Sequence, residues 1–138
     1  MTELELRVAA ASATFSRFNG QPLVLGSMDC ARMLAFHLKQ IGFKPSLLKG
    51  GAYSTPVGAR RALTRMGVSS LSEIMDRHFL RWDSQAEARI GDICCVAGDG
   101  GMGDAMQVKL HRNHVLGFHD GVCGELVNQI NGVAWRVI

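Results

Sequence analysis

Apolar residues recur at Leu4, Val8, Ala11, Phe15 and Phe18, a three-and-four spacing that lines one side of a helix over residues 3–18. Thr2 is its expected N-cap, with Glu5 completing a capping box, and Asn19-Gly20 ends it ahead of Pro22. A short apolar piece, Leu23-Val24-Leu25, closes at Gly26. A second helix is expected to start at Asp29 or Cys30, with Cys30, Met33, Leu34, Leu38 and Ile41 facing inward and Gly42 as the stop. The stretch Pro45–Pro56 reads as a loop, and shorter helices follow at about 57–66 and 71–80, the latter opened by Ser70 with Glu73.

Beyond residue 90 the period changes. Gly91-Asp92 leads into Ile93-Cys94-Cys95-Val96-Ala97, a continuous apolar run suited to a buried strand. Strand-like segments are expected near 105–110, 114–119, 122–128 and 132–138, separated by Asn113, Asp120-Gly121 and Asn131-Gly132. Helices first and antiparallel strands afterwards define an α+β domain, a single one over residues 1–138.

Composition narrows the functional classes. A hydrophobic fraction of 47% with 20% charged residues fits a folded globular chain. The formal charge of +3 carries no basic stripe, so no nucleic acid is expected as partner; Arg60, Arg61 and Arg65 read as a solvated helix face. No apolar run is long enough to span a bilayer, so no membrane anchor is expected. Cys30, Cys94, Cys95 and Cys123 form no C-x-x-C pair, which argues against structural zinc and for a chain made in a reducing compartment. The glycine-rich segment Gly98–Gly103 lacks the Lys-Ser/Thr and following helix of a phosphate loop, and reads as a hairpin loop.

Candidate chemistry centres on Cys30. A helix N-terminus favours thiolate and offers backbone amides to an oxyanion, while a base must lie within hydrogen-bonding reach. His37, two turns further along the same helix, is too distant, and His78 sits at a helix end. His111, His114 and His119 invite a metal, but their mixed parity cannot line one face of a flat strand, so no metal or other cofactor is expected.

The segment Gln21-Pro22-Leu23-Val24-Leu25-Gly26-Ser27-Met28-Asp29-Cys30-Ala31 resembles the Pro-apolar-apolar-Trp-Gly-x-x-Asp-Cys signature of NlpC-type cell-wall endopeptidases. The similarity is greater to a poorly characterised phage and prophage branch of that superfamily. It continues through Arg89-Ile90-Gly91-Asp92-Ile93, Leu116-Gly117-Phe118 and Ala134-Trp135-Arg136-Val137. The resemblance implies a papain-like fold in which Cys30 attacks an amide of bacterial cell-wall peptides and a sheet-borne histidine acts as base. It further implies a place in the virion, at the phage tail tip among other tail-tip proteins, after synthesis in the bacterial cytoplasm.

Two departures accompany it. Leu25 stands where the signature has tryptophan. The family's histidine lies two residues before glycine, whereas here Val115 holds that place before Gly117 and His114 is one residue out. His114 is the expected base, with His111 and His119 as alternatives and Glu125, Asn128 or Gln129 as the orienting third residue. The competing expectation is a degenerate domain that keeps the fold for structure or binding.

Overall fold

Helix α1 (Glu3–Phe18) begins where Thr2 accepts a hydrogen bond from the Glu5 amide. Its buried face is Arg7, Ala10, Ala11, Thr14 and Phe18, while Leu4 and Val8 of the expected apolar stripe are exposed. The reason is electrostatic. Arg7 turns inward to pair with the fully buried Asp92 at 2.8 Å and to donate to the carbonyls of Ile90 and Ile138. A buried guanidinium with that many acceptors fixes the rotation of the helix more firmly than two rim aliphatics can.

Helix α2 (Cys30–Gln40) packs beside α1 and is capped by Asp29, as the sequence suggests. Helix α3 (Pro56–Arg65) starts with proline at its first position, where no amide partner is lost, and Thr55 caps it. Helix α4 (Leu71–His78) is capped by Ser70; Glu73 reaches one residue further back than a capping box requires, to the amide and hydroxyl of Ser69. The helix stops at His78 instead of residue 80, because Phe79 is already extended.

Among the described residues, which in this computed structural model are 1–43, 51–97, 104–128 and 132–138, four α-helices accompany a six-stranded antiparallel sheet. The expected glycine loop 98–103, residues 45–50 of the Pro45–Pro56 loop, Gln129 and the Asn131 turn position lie outside the described residues. The strands are β1 (Leu80–Arg81), β2 (Ile93–Ala97), β3 (Asp104–Lys109), β4 (His114–His119), β5 (Val122–Val127) and β6 (Val133–Arg136). Their order is β1-β6-β2-β3-β4-β5. The two-residue β1 has no apolar alternation to announce it; Leu80 and Arg81 are recruited by pairing with Arg136 and Trp135.

One sheet face carries Ile93, Cys95, Met106, Val108, Leu116 and Trp135 against α1, α2, α3 and α4. The other buries Cys94, Val115 and Ala134 beneath the Trp82–Ala88 connection. β4 and β5 join through Asp120-Gly121, both at positive φ, a two-residue turn whose twist matches the strands.

Candidate functional site

Cys30 stands at the first position of α2. Asp29 before it is buried and fully engaged, accepting from the Gly26 and Arg32 amides at 2.8 Å each and from the Tyr53 hydroxyl at 2.7 Å. Gly26 is required here on two counts. Its φ is +90°, and a Cβ would overlap the Tyr53 carbonyl. The signature that leads into Cys30 therefore builds a tight loop around a capping carboxylate.

The sulfur of Cys30 lies 3.9 Å from the Asp104 carbonyl at the start of β3. Ser72 of α4 donates to the Asp104 carboxylate at 2.5 Å and sits 3.6 Å from the Cys95 sulfur. Burial pushes the Cys30 thiol up to about 11; backbone hydrogen bonding at Met106 pulls it down, the Asp29 charge pushes it further up, and the helix-end amides of Cys30 and Ala31 pull it down. Burial wins. A thiol in this state is a weak acid, and the thiolate is the nucleophilic form.

All five histidines of the sequence fall among the described residues, and the structure brings none of them to this sulfur. His37 is fully buried, held by Thr14 at 2.8 Å and the Gly91 carbonyl at 2.7 Å, and burial lowers its pKa. His78 stacks edge-on with Phe43. His119 is at the Cys30 end of the sheet by register, but it shares parity with Val115 of the outer face and pairs with Asp120 at 3.4 Å.

His114 is on the helix-facing side, since Leu116 two residues on belongs to that core and Val115 belongs to the other. Its face is therefore suitable and its position along the sheet is not. The Leu110 amide donates to the His114 carbonyl, and Leu110, just past β3, lies four residues beyond Met106, whose backbone hydrogen-bonds the Cys30 sulfur, a separation of roughly 13 Å in extended chain. Cys30 and His114, the sequence-predicted pair, therefore stand at different levels along the sheet. The strand that runs beside Cys30 is β3, one strand earlier than the one bearing His114.

The structure does bring His114 to Glu125. Nδ1 of His114 lies 2.7 Å from one carboxylate oxygen, and Nε2 of His111 lies 3.8 Å from the other. The two imidazole rings are 5.1 Å apart. Asn128, another expected partner, donates its backbone N–H to the Asn113 carbonyl. His111 reaches the cluster because residues 111–114 form a turn, closed by the His114 amide on the His111 carbonyl, with Arg112 at φ +52°. Parity arguments for a continuous strand do not apply across such a turn. Asn113 between the two strand-like segments was the signal in the sequence that could have freed His111 from that rule.

The cluster borders a cleft of about 400 Å³ between α1 and the sheet, with Phe15, Ile90 and Leu110 as apolar wall and Ser12 and Ser16 at its side. His111 and Glu125 line it directly. No helix among the described residues is long and apolar enough to cross a membrane.

Residues 4–137 match the family described as a domain of unknown function, DUF6950, and the chain belongs to that family. No curated protein and no solved structure matches the chain.

Proposed function

We propose that this DUF6950 chain is a catalytically silent relative of the NlpC-type, papain-like peptidases, acting as a structural or adaptor component of a phage or prophage tail tip. The observation that carries this reading is the separation of Cys30 from every histidine. A cysteine peptidase needs its base within hydrogen-bonding reach of the sulfur, or one water away, and the roughly 13 Å of sheet between the Met106 and Leu110 levels is more than side-chain rotation spans. The thiol's raised pKa points the same way. The NlpC resemblance around Asp29-Cys30 supports descent of the fold. The tight Gly26–Asp29–Tyr53 arrangement gives that signature a structural use independent of catalysis.

Cleavage of amide bonds in cell-wall peptides, the activity the resemblance implies, requires a pairing that this geometry lacks. A zymogram on bacterial cell wall tests the matter. Wild type and Cys30→Ala are expected to be equally inert, and Cys30 is expected to resist iodoacetamide at pH 8, where a pKa near 11 leaves about one thiol in a thousand ionised. Clearing by wild type that disappears in Cys30→Ala would overturn the silent assignment. The tail-tip assignment is tested on purified particles: the chain is expected among their proteins, and its absence there overturns that part.

A further inference from the structure

His111, His114 and Glu125 have no part in the reading above, yet their ligand atoms all lie within 4.8 Å of one another. We propose that these three side chains form a binding site for one divalent transition-metal ion of the Zn²⁺ class, with a fourth coordination position open toward the α1 cleft.

The donor set favours that class. Two imidazoles and one carboxylate suit Zn²⁺, Co²⁺, Ni²⁺ or Cu²⁺, whereas Mg²⁺ and Ca²⁺ seek oxygen shells. The spacing agrees with it. Tetrahedral bonds of about 2.0–2.1 Å place neighbouring ligand atoms about 3.3 Å apart. The His114–Glu125 and His111–Glu125 separations, 2.7 and 3.8 Å, fall on either side of that value. Both are changed by small side-chain rotations, since all three groups are at least a third exposed. The ligating atoms are Nε2 of His111 and Nδ1 of His114, each already turned toward a different oxygen of the same carboxylate.

The backbone holds these groups together without help from an ion. His114 and Glu125 lie on adjacent paired strands, with Glu125 opposite Leu116 and His114 opposite Val127, so they are diagonal neighbours on one face. The turn at Arg112 carries His111 back over that face. Three protein ligands leave one position of a tetrahedron free. Because His111 and Glu125 also line the cleft, that position is reached from it, beside the wall of Phe15, Ile90 and Leu110.

The experiment is calorimetric titration of the reduced chain with Zn²⁺, repeated with Co²⁺ and read by absorption. One ion per chain is expected for wild type. His111→Asn and Glu125→Gln are each expected to weaken binding by at least about tenfold, the lower bound for loss even of an outer-shell partner. His119→Asn, which removes an exposed imidazole outside the cluster, is expected to bind as wild type does. The Co²⁺ spectrum is expected to lack the intense band of thiolate ligation. Circular dichroism of each variant verifies that the fold is retained. No binding by wild type, equal affinity in both cluster variants, loss of binding in His119→Asn, or a thiolate band would each overturn the proposal.

Discussion

The acid Asp92 and the acid Glu125 each gather basic or N–H partners, but one does so in the core and the other at the rim. Asp92 is wholly buried and accepts from the Arg7 guanidinium, the Trp82 indole and the amides of Arg89 and, at 3.3 Å, Val137. Those donors come from α1, the segment over the outer sheet face, the turn before β2 and the residues after β6. Each of its oxygens is used, and nothing from outside can enter. Among the described residues Glu125 meets two imidazoles, each with surface facing solvent. Enclosure turns a charged group into a structural tie, because its partners are then the only ones available to it. At the rim the same chemistry stays free to exchange a proton or a protein partner for a ligand.

Substitutions can separate these roles. The largest effect is expected at the enclosed acid: Asp92→Ala leaves the buried Arg7 guanidinium with only the half-exposed Glu3 carboxylate at 3.4 Å as counter-charge and should cost about 3–5 kcal/mol in a urea unfolding titration. A cost below about 1 kcal/mol would mean that water reaches Arg7 in the variant and that the core cluster is not closed.

A smaller effect is expected from pH, through the interior histidine. Burial lowers the pKa of His37 in the folded chain, so on acidification the unfolded chain takes up its proton first. Stability from this group is complete above the ordinary imidazole value of 6.5 and is lost as pH falls below it. The expected slope is at most about 1.4 kcal/mol per pH unit. Urea midpoints measured between pH 8 and pH 5 should fall on the acid side, and His37→Gln should remove that part of the slope. An unchanged slope in His37→Gln would assign the acid sensitivity elsewhere.

The smallest effect on stability is expected at Glu125. Its contacts with the imidazoles are exposed, and Glu125→Gln should change unfolding free energy by less than about 0.5 kcal/mol in metal-free buffer. A loss comparable to that of Asp92→Ala would erase the distinction between tie and site.

Signals in the sequence are legible where they act over a few residues. Thr2, Asp29 and Ser70 cap the helices they were expected to cap, and Asp120-Gly121 makes its two-residue turn. The α+β order follows from the change of period near residue 90. The rotation of α1 was not legible, because it is set by Arg7 meeting Asp92 85 residues away. Nor was β1, which exists only by pairing with β6. At the candidate site, Cys30 was correctly placed at a helix start, but its distance from His114 depends on which strand passes beside it. That is a matter of topology, and the pattern around Gly117 encodes only the face of β4. Glu125 is among the expected partners of His114, whereas the parity rule for straight strands, which keeps His111 and His114 off one face, fails at the Arg112 turn.

The place of β6 in the sheet has a consequence for biosynthesis. It follows the other five described strands in sequence, yet it is hydrogen-bonded between β1 and β2 and brings the fully buried Trp135 into the core. Until residue 136 has left the ribosomal exit tunnel, β2 presents a bare edge and α4 lacks the indole that donates to Asp76. Closing the sheet around β1 and β2 therefore depends on residues 133–136, and a chain in which they are unpaired exposes an edge of the kind that templates aggregation.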